Sequence, residues 1–157
     1  MVTAERRLES NLRKWLPLCQ HIGLSIEKAQ DGVFRCRVPL TEPNSNHFGT
    51  VHAALQFAAL EVLGGMVVAS IGLMQGKYLG VVKEFQIKFR APAQTDIFAE
   101  TNVSESELSR ICSDAENQGR ADFTLNSTLS DGNGNIFATG HGIYVIKLAQ
   151  VPEELRY

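Results

Sequence analysis

The stretch Asn46-His47-Phe48-Gly49-Thr50-Val51-His52-Ala53-Ala54-Leu55-Gln56-Phe57-Ala58-Ala59-Leu60-Glu61, continuing through Val62 to Met74, decides the fold. From Val51 to Met74 the chain is apolar except for His52, Gln56, Glu61 and Ser70. A membrane-spanning helix needs roughly 20 apolar residues, so the length alone invites that reading. A carboxylate near the centre of a span costs about 2.5–3.5 kcal/mol on insertion scales. The charge-free run after Glu61 also ends at Lys77 and is broken by Gly64, Gly65, Gly72 and Gly76. The segment therefore reads as the core helix of a soluble domain with no membrane partner. A helix apolar nearly all round must be covered nearly all round.

The flanking sequence supplies the cover. Upstream, Leu8, Leu12, Trp15, Leu16 and Cys19 fall at the spacing of one helical stripe. Thr3 is placed to cap that helix, Glu5 suits its positive end, and Pro17 should end or kink it. Strands are expected over about Gly23–Gln30 and Val33–Leu40, joined at Asp31-Gly32, a strong hairpin signal. After Gly76 the period changes from 3.6 to 2. Val81, Lys83, Phe85, Ile87 and Phe89 then share the helix-facing side, and Val82, Glu84, Gln86, Lys88 and Arg90 the other. Three more strands fit Asp96–Ser104, Gly119–Ser130 and Ile136–Leu148, the last two joined by the turn Asp131–Asn135. Glu105–Gln118 carries no decisive pattern.

Helix, two strands, apolar helix, four strands: this order predicts an α+β fold, a curved antiparallel sheet around a central helix. One domain is expected over residues 1–157, with an N-terminal helix in 1–20 and the core in 23–148. A single sheet wraps most of the central helix but not all, and its open edges must be paired or covered. A second copy of the chain answers both needs.

With 157 residues, the chain buries enough surface to fold without staples. Its 44% hydrophobic and 20% charged content excludes disorder and a disulfide scaffold. A formal charge of −2 and the lack of a basic run exclude a nucleic-acid backbone as main partner. Cys19, Cys36 and Cys112 lie far apart, as reduced thiols of a cytoplasmic protein do. No apolar run follows the charges at the N-terminus, so a signal peptide is not expected. The four histidines show no metal-ligand spacing, and no metal or other cofactor is expected.

Chemistry concentrates on the central helix. Glu61 is the only acid between Glu42 and Glu84 and sits among Phe57, Ala58, Val62 and Gly65. An apolar setting disfavours its charged form and raises its pKa toward that of a useful base. A structural Glu paired with Lys83 or a backbone N–H is the plainer alternative. The helix start offers outward N–H groups around His52, Ala53 and Ala54, suited to an oxyanion, with Gly49 allowing close backbone approach. His52 and Glu61 are nine positions apart. That places them on opposite faces and roughly 13 Å apart along the axis, so a site using both needs two subunits.

The pattern Asn46-x-x-Gly49-x-x-His52, with an acid nine residues later, resembles the hotdog-fold thioesterases. It is most similar to the phenylacetyl-CoA (PaaI-type) branch, whose loop reads N-x-x-G-x-x-H-G-G. Phe89-Arg90-Ala91-Pro92-Ala93 also resembles that family's aromatic-x-x-Pro strand. The resemblance implies an acyl-CoA thioesterase acting on a CoA or acyl-carrier thioester, as a homodimer or dimer of dimers with shared sites. In it the Ala53 N–H polarises the thioester carbonyl, with the methyl of Ala53 narrowing the approach. Asn46 and His52 orient the loop or the attacking water. Glu61 of the partner subunit acts as base or nucleophile, where that branch usually has Asp and the related 4-hydroxybenzoyl-CoA thioesterases use Glu. Val82 falls where some members place a water-holding Ser or Thr, so that role is vacant or falls to Lys83 or Gln56. Lys83 would otherwise bind a substrate carboxylate or a CoA phosphate. Phe48, Phe57 and Phe85 would line an aromatic pocket or fill core.

Two alternatives follow from the same residues. One is a non-catalytic acyl-CoA-binding protein. The other is a β-hydroxyacyl thioester dehydratase using His47 and Glu61, whose spacing of fourteen matches, although the prolines and second glycine of that family's loop are missing.

Overall fold

The computed structural model describes residues 3–71 and 78–148. The Thr3 hydroxyl accepts from the Arg6 N–H and opens α1 (Ala4–Trp15), a cap contributing about 1 kcal/mol. Pro17 cannot continue that helix and instead occupies the first turn of a short α2 (Pro17–His21), where its missing N–H costs nothing. The apolar stripe of α1 is partly corrected: Leu12 is buried, whereas Leu16 caps the helix and stands 40% exposed.

Strands β1 (Ser25–Gln30) and β2 (Val33–Val38) form the expected hairpin. Asp31 and Gly32 both take positive φ, 55° and 73°, the pair of conformations a two-residue hairpin turn demands. Phe34, Cys36 and Val38 are buried on one face of β2, while Arg35 and Arg37 reach Glu100 and Asp96 on the other. A 3₁₀ turn (Glu42–Asn44) leads to α3 (Ala53–Ser70). The remaining elements are β3 (Tyr78–Phe89), β4 (Ile97–Asn102), α4 (Glu105–Gln118), β5 (Arg120–Ser130) and β6 (Ile136–Leu148). The expected continuation of the central helix to Met74 lies outside the described residues.

All strand pairs are antiparallel, in the order β1-β2-β4-β5-β6-β3. The sheet wraps α3, whose Ala59, Leu60, Leu63, Met66 and Val67 are fully buried. Helix α3 has the length and apolarity of a membrane span, but half of it is buried inside this sheet. The sheet leaves β3 as an edge: twelve residues paired only with β6. Leu79, Val81, Val82 and Phe89 of that edge stay more than a third exposed.

Helix α4 is an addition to the predicted order. Ser104 accepts from the Glu107 N–H at its start, and Gly119 closes it with φ 69°. The Ser104-x-x-Glu107 spacing and the glycine are the signals by which the sequence could have shown it.

Candidate active site

The loop before α3 is built around two asparagines. Asn44 is 4% exposed, and its Nδ2 donates to the carbonyls of Ile22 and Pro39, both at 2.9 Å. Its own carbonyl accepts the His52 N–H at 3.0 Å. Asn44 leaves no mark in the sequence, since one polar residue in a polar loop carries no periodic signal. Asn46 holds the next turn: its Oδ1 accepts from the N–H groups of Phe48 and Thr50, and its Nδ2 donates to the Thr50 hydroxyl. The amide of Asn46 is thus committed to the loop. Gly49 follows at φ 72°, where a side chain would strain the backbone.

This loop controls which N–H groups remain free at the start of α3. The His52 N–H goes to Asn44, and the Ala54 N–H goes to the His52 Nδ1 at 3.0 Å. The His52 carbonyl accepts from Leu55 and Gln56. The Ala53 N–H has no partner among the described residues, and the residue is exposed. The oxyanion expectation spread over His52, Ala53 and Ala54 therefore narrows to a single donor. His52 itself is an exposed cap.

Gln56 is a correction. It is 5% exposed and donates to the Val51 carbonyl at 2.9 Å, so it faces the core and holds the start of the helix instead of reaching substrate.

Along α3, Ala54, Phe57, Ala58, Glu61 and Gly65 form the face that the sheet leaves open. The Glu61 carboxylate has no hydrogen-bond or ion-pair partner among the described residues. Burial alone raises it above its ordinary value, because a half-buried charge loses hydration. Its charge is felt nearby: burial first, then Glu61, raises both the Cys19 thiol of α2 and the Tyr144 phenol of β6. The helix is pinned at this point. The Tyr144 hydroxyl donates to the Glu61 carbonyl at 3.0 Å, and the Tyr144 ring fills the place where a side chain on Gly64 would stand. Beside Glu61, by contrast, a Cβ on Gly65 would meet no atom within 4 Å.

Strand β3 supplies the second correction. Its register against β6 shifts between Val82 and Glu84, so Lys83 is the extra residue of a bulge. Val82 stands opposite Tyr144, whose hydroxyl reaches α3, so Val82 faces the helix and not the outer side. Lys83 falls on the outer face, with its Nζ 3.6 Å from Asp122 Oδ1. It neither neutralises Glu61 nor reaches the cleft, because the bulge reverses the parity counted from Val81. Beyond the bulge, Phe85 and Ile87 return to the helix side. Phe85 meets Phe57 edge-to-face with centroids 5.1 Å apart. Phe57 is 38% exposed on the Glu61 face; Phe48 is 77% exposed, its ring against that of His47 at 3.8 Å.

One helix cannot bring the Ala53 N–H to Glu61. They are eight residues apart, roughly 12 Å along the axis. The arrangement offers an electrophile-binding donor at one end of an open helix face and a raised, unpartnered carboxylate at its middle.

The fold is shared with solved proteins. A protein of unknown function from Pseudomonas aeruginosa, provisionally named a thioesterase, superposes with TM-score 0.81 at 24% identity over 95% of this chain and 99% of that one. A protein of Shewanella oneidensis, also provisionally named a thioesterase, gives 0.72 at 21% identity over 94% and 97%. These likenesses establish the hotdog fold. In sequence, a Halobacterium salinarum protein provisionally named an esterase is 30% identical over 90 residues, covering 55% of this chain and 59% of that protein. Residues 5–146 match the family described as domain of unknown function DUF4442, and the chain belongs to that family.

Proposed function

We propose that this protein is an acyl-CoA thioesterase of the PaaI-like kind, with a thioester site shared between two copies. The observation that carries the reading is Glu61: a carboxylate set alone on the open face of the apolar core helix, unpartnered and raised by burial. A structural glutamate in such a place is expected to be paired. A general base needs a pKa drawn toward neutrality and a free oxygen for water.

The edge and the open helix face supply the rest. Antiparallel pairing of two β3 edges satisfies their unpaired backbone groups and covers Leu79, Val81 and Phe89. It lays two α3 helices side by side, so that the Ala53 N–H of one copy polarises the thioester carbonyl while Glu61 of the other activates water. Asn46 and Gly49 hold the loop from which that N–H points, and His52 keeps the neighbouring N–H occupied. Val82, Phe57 and the open space over Gly65 border the acyl chain. Three free cysteines fit a cytoplasmic setting.

The deciding experiment is hydrolysis of short, medium, long-chain and aryl acyl-CoAs, with Glu61→Gln beside the wild type. Turnover that falls about 10²–10⁴-fold in the variant, the usual range for a lost general base, supports the reading. Saturable CoA-ester binding with no turnover in the wild type makes the protein a non-catalytic binder.

A further inference from the structure

The outer face of the sheet, on the side away from α3, holds a groove of about 440 Å³, within the size range of small-molecule sites. Its floor is set by register. Gln86, His141 and Asn126 stand side by side across β3, β6 and β5, and Lys88, Thr139 and Thr128 form the next row. Arg90 extends the β3 side of the groove. Every one of these side chains can donate a hydrogen bond, and the first carboxylate in line is Glu100 of β4, opposite Thr128.

The charge balance of the groove is unlike that of the chain. The protein as a whole is at −2, yet Lys88 and Arg90 have no ion-pair partner among the described residues. The carboxylates that face this side are nearly all engaged. Glu100, beyond Thr128 on β4, is held by Arg35 at 3.2 Å, and Asp122 is held by Arg120 and Lys83. Glu84, at the border, accepts from the Gln86 amide at 3.0 Å. The His141 ring is fixed by a 2.8 Å hydrogen bond between its Nδ1 and Asn126 Oδ1. Lys88 and Arg90 are two residues apart on an extended strand, about 6.6 Å, a span that two linked phosphates bridge.

We propose that this groove binds a phosphate-bearing polyanion, its charge met by Lys88 and Arg90 and its oxygens by Thr128, Thr139 and His141. The site lies on the opposite side of the sheet from Glu61, so it is separate from the thioester site of the same protomer. It does not depend on the thioesterase reading. Edge pairing through β3 leaves this face open.

The test is calorimetric titration of the full chain with inorganic pyrophosphate and, separately, with adenosine diphosphate, at low ionic strength. The same titrations are run on the double variant K88A/R90A, whose fold is checked by circular dichroism. Losing two charge-assisted contacts should weaken binding by at least about tenfold from a dissociation constant below about 1 mM. Amide resonances of Thr128, Thr139 and His141 should shift in the wild type. Equal affinity for both probes assigns the site to phosphate groups alone, and tighter binding of the diphosphate nucleotide assigns it to a nucleotide. No saturable binding of either probe overturns the proposal, as does affinity unchanged in the double variant. A wild-type oligomer that K88A/R90A dissociates, with no anion bound, would mark the face as a contact between copies and equally overturn it.

Discussion

The Lys83 ammonium stands 3.6 Å from the Asp122 carboxylate on the outer face of the sheet, turned away from Glu61 by a one-residue bulge in β3. Two consequences follow. The carboxylate on α3 loses the one cation that strand alternation had assigned to it. The helix-facing position passes to Val82, whose side chain has no hydrogen-bonding group.

Replacing Lys83 with Ala should therefore leave thioester hydrolysis nearly unchanged in both kcat and KM. The pair is half-exposed, and breaking it should cost no more than about 0.5 kcal/mol. A marked rise in KM would return Lys83 to the substrate.

The bulge shows where the sequence stops being readable. Alternation from Val81 to Phe89 locates the strand, but an extra residue in one strand leaves no mark in a single sequence, and it inverts every side assigned across it. The Asp31-Gly32 turn, the α3 core and the β5–β6 pair were legible because φ preference and apolar period act locally. So was Glu61, by its isolation in an apolar run. Asn44 was not legible, because its three partners come from α2, from the end of the β2 segment and from the start of α3. Burial makes Gln56 a core residue, although its position on the helix that carries Glu61 gave it the look of a site residue.

Glu61 should leave a signature in pH as well as in rate. Burial raises its folded-state value above the unfolded one, near 4.3. Hydrolysis should rise with pH through an inflection above that unfolded value, since the base acts only when ionised. Stability runs the other way. The folded chain holds the proton more tightly, so the contribution is fully present below the unfolded pKa and is lost as pH rises through the folded one. Glu61→Gln should thus melt no lower than wild type at neutral pH, with any advantage vanishing near pH 4. Thermal melts at pH 4 and 7.5 check the sign, and a variant destabilised only at pH 7.5 would contradict the desolvation argument.

Asn44→Ala should be costly despite lying in a loop. It removes two donated hydrogen bonds and leaves the Ile22 and Pro39 carbonyls without them at a buried position. A loss of about 1–3 kcal/mol is expected from denaturant unfolding. Because Asn44 also orders the entry to α3, activity in the folded fraction should fall as well. Asn46→Ala should have the milder effect on stability, since its partners lie nearer solvent.

The three thiols should separate by accessibility in the native protein. Cys36 is fully buried, its Sγ donates to the Ala59 carbonyl at 3.4 Å, and burial pushes its thiol up to about 12. Cys19 is buried and also raised, by burial and by the Glu61 charge. Cys112 is half-buried. A thiol reagent at pH 8 should modify Cys112 first and reach the other two only on unfolding. Glu61→Gln should make Cys19 the faster of the remaining pair. Simultaneous reaction of all three thiols would show that the core opens more readily than its packing implies.

The adjacent glycines of α3 should respond in opposite directions. A methyl on Gly64 would overlap the Tyr144 ring, whose hydroxyl anchors the Glu61 carbonyl. Gly64→Ala must displace that ring or the helix, at about 1–3 kcal/mol for overpacking. It should reduce hydrolysis by moving Glu61. Gly65→Ala meets open space and should stabilise the helix by roughly 0.5–1 kcal/mol, the ordinary gain over a mid-helix glycine. Its methyl lies on the Glu61 face, so any loss of activity should fall hardest on the bulkiest acyl groups. Melting temperatures and the acyl-CoA profile of the two variants decide the matter. Destabilisation by Gly65→Ala would mean that this space is filled in solution, as by the α3 of a second copy packed against it.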